Sequence, residues 1–221
     1  HDVIKLIRAE LPKDIPLIGF GGAPFTLASY AIEGKGSRNY VFVKQMMYGD
    51  TGAWHGLMEK ITDTVIDYMN YQIDSGVQAV QLFDSWVGTL SPSDYREYVM
   101  PHSQRMMKEI SGRVPVIHFG TGNPALAPLM AEAGGDVLAL DWRTPLLETW
   151  NATGVKSVQG NMDPIILCAD KASVKRKAKE VLDEVDGRPG HIFNLGHGII
   201  PETPVENVKA LVDFVHEYSA K

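Results

Sequence analysis

Cysteine is nearly absent from this sequence, which has only Cys168 among its 221 residues. One thiol cannot form a disulfide within the chain, so nothing points to an oxidising compartment, and a cytoplasmic location is expected. Apolar runs long enough for a membrane span are also missing, which favours a soluble protein. The chain opens at His1, without an initiator Met, on polar, helix-like sequence rather than a signal peptide. We therefore expect it to begin within a longer protein.

Positive charge is in deficit, with 21 Lys and Arg against 27 Asp and Glu and a net charge of −6. A nucleic-acid surface needs clustered Lys and Arg that outweigh the acids, so a nucleic-acid partner is not expected. The one basic run, residues 171–179, alternates with apolar residues at helical spacing and is interpreted as a solvated helix face. Length and average composition favour a single domain over residues 1–221.

Short apolar runs alternate with longer segments of helical periodicity, which predicts parallel βα units. Most of the runs do not alternate apolar and polar residues, as is typical of strands that are covered on both faces. This pattern leaves two architectures open, a doubly wound sheet or a (β/α)8 barrel without its first two units. The six candidate strands are residues 15–20, 78–84, 114–119, 137–141, 157–161 and 191–195.

Several helix boundaries are also predicted. Apolar residues recur every fourth position from Leu57 to Ile73, so one stripe of that helix should face a core, and Gly76 should end it. Pro101 should divide the segment 93–111 into two helices. Three helix starts are expected where a capping side chain precedes a proline: Asn123-Pro124, Thr144-Pro145 and Thr203-Pro204, the last in a capping box with Glu206 that opens a helix to about His216.

The carboxyl ends of the strands should converge on one crevice, and they are rich in glycine and polar side chains. They lack a phosphate-binding loop, zinc-like His and Cys spacing, and the Gly-x-Ser-x-Gly elbow of a nucleophilic serine. A lone buried His or Tyr is more often a core residue, but the glycines on both sides of His197 weaken that interpretation. Asp84 and Asp141 could equally cap turns. The candidate ligand-binding residues are Tyr30, Asp84, Ser85, His118, Asp141 and His197.

Four of these segments together resemble the uroporphyrinogen decarboxylase family. GFGGAPFTLASYAIEGKGS is similar to that family's GFAGAPFTLATYLIEGGGS, and LFDSWVG, QGNMDP and NLGHGIIPETPVENV match further family motifs in the same order. The resemblance implies an α/β fold, an incomplete (β/α)8 TIM barrel with its first strands and helices missing. It also implies removal of four acetate carboxyls from uroporphyrinogen III to give coproporphyrinogen III, in a homodimer and without metal or cofactor.

The resemblance also assigns residues. Tyr30 and His197 match catalytic, substrate-contacting positions, Ser85 matches a substrate contact, and Phe20 and Phe83 match apolar walls around the macrocycle. The family's arginine-rich RQAGR motif and a following aspartate do not occur in these 221 residues. We therefore expect this polypeptide to be inactive on its own.

Two alternatives stay open. A corrinoid-dependent methyltransferase would share the fold, but its zinc-binding His-x-Cys pair corresponds here to His118-Phe119-Gly120, which has no cysteine. A non-catalytic porphyrin-binding remnant is the second alternative.

Overall fold

The computed structural model describes residues 2–220, which form two compact units, one up to Leu138 and one from Ala139. In the first unit, three strands lie side by side in chain order and in parallel, with Gly19 opposite Val80 and Leu82 opposite His118. Its elements are α1 (Asp2–Glu10), β1 (Ile18–Gly22), α2 (Pro24–Glu33), α3 (Val41–Gly49), α4 (Thr51–Asp74), β2 (Ala79–Asp84), a 3-10 turn (Val87–Thr89), α5 (Pro92–Asp94), a π-helical turn (Tyr95–Val99), α6 (Met100–Ile110), β3 (Val116–Gly120), a 3-10 turn (Pro124–Leu126) and α7 (Ala127–Ala133).

The fourth strand, β4 (Val137–Ala139), crosses the boundary between the units. In the second unit two further strands pair in parallel, with Val158 opposite His191. The remaining elements are α8 (Leu146–Thr153), β5 (Ser157–Met162), a 3-10 turn (Pro164–Cys168), α9 (Lys171–Val185), β6 (His191–Leu195) and α10 (Val205–Ser219).

Each unit has its own apolar core between strands and helices. In the first unit Met69 of α4, Leu82 of β2 and Met106 of α6 are fully buried in one cluster. In the second unit Leu167 and Val174 are fully buried in a cluster that α9 and α10 cover. Burying such side chains stabilises the fold by about 1.5–3 kcal/mol each.

All six expected strands are present, with boundaries that move by at most three residues. β3 is buried along its length, as expected of a strand covered on both faces. β1 and β6 differ from β3, because more exposed and more buried residues alternate along each of them. In β1 the exposed residues are Ile18 and Phe20. The stripe on α4 is confirmed at Val65, Met69 and Ile73, and Gly76 follows the helix end with a φ of 102°.

Two of the expected helix caps are wrong. Pro145 and Pro204 are themselves the N-cap residues of α8 and α10, because their ψ angles of 113° and 127° are extended rather than helical. Thr144 and Thr203 therefore lie one residue outside the cap, and the capping box with Glu206 does not form. Asn123 does cap the turn after it, by accepting a hydrogen bond from the Ala125 N–H.

Pro101 does not divide its segment into two separate helices. The proline removes one backbone donor, and the turn before it widens to a π-helix in which the Met100 N–H donates to the Tyr95 carbonyl. The helical path from Pro92 to Ile110 continues through this turn. Among residues 2–220, none of the helices combines the length and apolar character that crossing a membrane would require.

Candidate active site

An aromatic row lies across the three strands of the first unit. The Phe20 and Phe83 rings meet edge to face with centroids 6.0 Å apart, and Phe83 meets Phe119 at 5.6 Å. Phe20 is 64% exposed, whereas Phe119 is buried. The side-chain amide of Gln72 on α4 holds the Phe20 backbone, since it accepts from the Phe20 N–H at 3.1 Å and donates to the carbonyl at 2.9 Å. The row therefore ends in an exposed aromatic face on a fixed backbone.

Tyr30 lies beside the turn that follows β2. Its ring meets Trp86 edge to face with centroids 5.9 Å apart, and Tyr40 contacts the same indole at 6.0 Å. Ser85 precedes Trp86 in this turn and is half-buried. Tyr30 is 45% exposed, so its ring packs on the protein while part of it faces solvent. The structure thus brings Tyr30 and the Ser85 turn together within one unit.

Asp84, the last residue of β2, is fully buried. Its Oδ1 accepts a hydrogen bond from the Thr26 hydroxyl at 3.1 Å, while Oδ2 has no hydrogen-bond partner among the described residues. Burial raises the pKa of Asp84 to about 7, although the hydrogen bonds from Thr26 act in the opposite direction. Asp84 is therefore a buried carboxyl group that holds its proton more tightly than an ordinary aspartate does.

The turn after β2 also packs against the turn after β3. A side chain at Gly88 would meet the Thr121 carbonyl oxygen at 2.2 Å and the Gly122 Cα at 2.7 Å, so only glycine allows this approach. The two loops at the carboxyl ends of β2 and β3 are locked together by backbone contact.

His118 is a core residue rather than a ligand contact. It is fully buried in β3, and its Nδ1 lies 3.3 Å from the Gly134 carbonyl oxygen. Burial lowers the pKa of His118 to about 4, so the ring is neutral at physiological pH. The interpretation of His118 as a buried structural histidine is the one that the geometry favours.

In the second unit, Asp141 shapes the turn after β4. Its Oδ1 accepts from the Arg143 backbone N–H at 3.1 Å, and its Oδ2 lies 2.7 Å from Arg143 Nη1. The side-chain amide of Asn161, in the QGNMDP segment, donates to the Asp141 and Thr144 carbonyls at 2.9 and 2.7 Å. Asp141 therefore caps this turn, which is one of the two roles that the sequence left open.

His197 lies just after β6 and is exposed. The preceding residue, Gly196, packs against the turn after β4, since a Cβ atom at Gly196 would lie 2.7 Å from the backbone nitrogen of Trp142. The conformation of this histidine segment is thus set by the close approach of two loops. That His197 shares a pocket with Tyr30 and Ser85 stays a prediction.

The sequence did not single out Thr26, Trp86 or Arg143. Thr26 and Trp86 belong to motifs that were recognised, but their contacts join residues about sixty positions apart. Arg143 could have been found from the sequence, because it lies two residues after Asp141 at the end of a predicted strand, where a cation could bind an acidic ligand. In the described part of the chain, no group of three or more His, Cys, Asp or Glu side chains could hold a metal ion.

Comparison with known proteins agrees with the sequence motifs. The family model described as uroporphyrinogen decarboxylase (URO-D) matches residues 1–218. The chain belongs to the uroporphyrinogen decarboxylase family. Proteins named uroporphyrinogen decarboxylase from Sorangium cellulosum and Carboxydothermus hydrogenoformans are 54% and 52% identical to it, over 97% and 99% of this chain. The chain spans 62% and 63% of their respective lengths.

Solved structures agree with the fold. A methyltransferase from Methanosarcina mazei matches with a TM-score of 0.84 and 23% identity, over 98% of this chain and 63% of that one. A dihydropteroate synthase from Xanthomonas albilineans matches with a TM-score of 0.53 and 12% identity, over 92% and 68%. At these identities the likeness concerns the fold alone. The expected α/β class is confirmed, and the parallel βα units of this uroporphyrinogen decarboxylase family member are those of a TIM barrel.

Proposed function

We propose that this chain is part of an enzyme that decarboxylates the four acetate side chains of uroporphyrinogen III to give coproporphyrinogen III. The observation that carries the proposal is the family match over residues 1–218. Ser85 and His197 follow β2 and β6, at the strand ends where a barrel places its site, and Tyr30 lies on α2 with its ring against Trp86 of the turn after β2. With this activity, the complete protein would be a carboxy-lyase of heme and tetrapyrrole biosynthesis.

The chemistry needs an electron sink. Protonation of the ring carbon first makes the pyrrole cationic, and when carbon dioxide leaves the acetate, the electrons of the broken C–C bond neutralise the ring. A proton added at the side-chain carbon, with loss of the proton from the ring carbon, then completes the methyl group. The protein must stabilise the cationic pyrrole in a cleft shielded from water, where charges interact strongly. No metal or organic cofactor enters this proposal.

The residues divide these tasks between them. Tyr30 and His197 are proposed to hydrogen-bond the reacting acetate or its neighbour, to position it and to relay a proton. Ser85 is proposed to hold another carboxylate. The exposed Phe20 and its neighbour Phe83 supply an apolar edge against which a macrocycle can pack. The Tyr30 ring packs on Trp86, the residue after Ser85, and this contact supports the proposal that Tyr30 and Ser85 bind the same ligand.

The corrinoid methyltransferase alternative is not favoured, since the family match is to the decarboxylase and His118 is buried in the core. The non-catalytic alternative predicts porphyrin binding without turnover. We further propose that the complete protein is a cytoplasmic homodimer and that residues 1–221 belong to one domain.

The RQAGR motif and the following aspartate of the family are proposed to supply the main positive charge and the cation-stabilising carboxylate. We therefore propose that the 221-residue polypeptide alone does not turn over. The test is an assay of uroporphyrinogen III decarboxylation, with this chain alone and with this chain fused behind the amino-terminal segment of the Sorangium cellulosum relative. We expect product only from the fusion. Turnover by the chain alone would refute the proposed inactivity, and an inactive fusion that still binds porphyrin would favour the non-catalytic alternative.

A further inference from the structure

The guanidinium of Arg143 is held in a fixed position at the end of β4. Its Nη1 lies 2.7 Å from Oδ2 of Asp141, whose side chain is 1% exposed. Its Cζ lies 4.1 Å from the centre of the Trp142 ring, a distance typical of a cation–π contact. A buried carboxylate and an aromatic face thus orient this cation from two directions, so less side-chain entropy is lost when it binds a ligand.

These contacts leave donors for a ligand. A guanidinium carries five N–H donors in a planar fork, and its contact with Asp141 is made through Nη1. The Arg143 side chain is 48% exposed, in contrast to the buried Asp141. A planar, half-exposed guanidinium is the side chain best matched to a carboxylate, which it can bind through two parallel hydrogen bonds.

Arg143 belongs to the same loop cluster as His197. The backbone of Gly196 contacts Asp141 and Trp142, since a side chain on Gly196 would meet the Asp141 Cα at 2.9 Å and the Trp142 nitrogen at 2.7 Å. His197, the next residue, is exposed. The second unit therefore presents a cation and an imidazole from adjacent loops at the carboxyl ends of β4 and β6.

We propose that Arg143 binds a peripheral carboxylate of the tetrapyrrole, with Asp141 and Trp142 as the residues that position it. The inference rests on the proposed function, because uroporphyrinogen carries four acetate and four propionate carboxylates that must be matched by donors. Arg143 is a substrate-binding residue in this scheme, and His197 next to it meets the same edge of the macrocycle.

The experiment titrates the 221-residue chain with uroporphyrin, followed by porphyrin fluorescence at low and high NaCl. The variants are Arg143→Gln, which removes the charge, and Arg143→Lys, which keeps the charge but loses the planar fork. Arg176→Gln is the matched control, because Arg176 is an exposed arginine on α9 that pairs only with Glu180 in the described structure. Thermal melting of each variant shows whether it is folded.

We expect Arg143→Gln to weaken uroporphyrin binding by about tenfold or more, in line with loss of a charged hydrogen bond, and to reduce the salt dependence of binding. Arg143→Lys should keep the salt dependence with intermediate affinity, and Arg176→Gln should bind as the parent chain does. Unchanged affinity in Arg143→Gln, or an equal loss at both salt concentrations, would overturn the inference while leaving the proposed function intact. The same titration is made with the fusion that carries the amino-terminal segment of the Sorangium cellulosum relative. A fusion that turns over uroporphyrinogen III with the same porphyrin affinity in its Arg143→Gln variant would overturn this inference alone, whereas a fusion that neither binds porphyrin nor turns over would overturn the proposed function, and this inference with it.

Discussion

The Thr26 hydroxyl donates a hydrogen bond to Oδ1 of Asp84 at 3.1 Å, although the two residues are 58 positions apart. Thr26 lies in the first turn of α2, the helix that carries Tyr30, and Asp84 ends the strand that precedes Ser85. The Thr26 hydroxyl also lies 3.4 Å from the Trp86 backbone nitrogen, as its acceptor. One side chain therefore connects the helix of the candidate tyrosine to the turn of the candidate serine.

Asp84 should make stability fall as pH rises. The pKa of Asp84 is about 7 in the folded protein, whereas the ordinary value is 3.8. Between pH 4 and 7, Asp84 therefore keeps its proton in the folded protein and loses it in the unfolded chain. Stability should then decrease by roughly 1.4 kcal/mol per pH unit across this range. In Asp84→Asn, which keeps an oxygen for the Thr26 hydroxyl, that contribution should disappear. Urea unfolding of both proteins from pH 4.5 to 8 tests this, and equal pH dependence in the two would contradict it.

His118 should act in the opposite direction. Burial lowers the pKa of His118 to about 4, whereas the ordinary value is 6.5. Between pH 4 and 6.5, His118 therefore binds a proton in the unfolded chain but not in the folded protein. The contribution is fully present above pH 6.5 and is lost at roughly 1.4 kcal/mol per unit as pH falls towards 4. His118→Gln should reduce this acid sensitivity in urea unfolding relative to the parent chain. Equal acid sensitivity in the two proteins would contradict the prediction.

Gly88 and Gly56 give a matched pair for backbone packing. An added methyl group at Gly88 would overlap the Thr121 carbonyl oxygen, whereas at Gly56, in the interior of α4, it meets no atom within 4 Å. We expect Gly88→Ala to lose about 1–3 kcal/mol of unfolding free energy and Gly56→Ala to gain about 0.5–1 kcal/mol. Thermal and urea unfolding measure both. A Gly88→Ala variant as stable as the parent chain would show that the two loops are not locked.

Sequence reasoning located the strands because each is a short apolar run between glycine, proline or polar turns, as at Val116–Gly120. It failed at Thr144 and Thr203, since it took the proline as the first helical residue when the proline's extended ψ makes it the cap. The aromatic contact between Tyr30 and Trp86 and the hydrogen bond between Thr26 and Asp84 could not be predicted. Such long-range contacts depend on how elements pack, which local patterns do not encode.

Tyr30 should contribute to ligand binding through its hydroxyl. Tyr30→Phe keeps the ring against Trp86 and removes one hydrogen bond, so porphyrin binding should weaken by up to about tenfold without loss of stability. Tyr68→Phe, at an exposed tyrosine on α4, is the control. Fluorescence titration with uroporphyrin and thermal melting measure the two effects. Equal affinity of the Tyr30→Phe and Tyr68→Phe proteins would remove Tyr30 from the site.

We propose that one tetrapyrrole contacts Tyr30, Ser85 and His197 together. The measurement is a crystal structure of the chain with bound coproporphyrin. We expect a single porphyrin with the Tyr30 hydroxyl, the Ser85 hydroxyl and the His197 imidazole within hydrogen-bond distance of its carboxylates or pyrrole nitrogens. A porphyrin bound elsewhere, or these three side chains facing different surfaces, would contradict it.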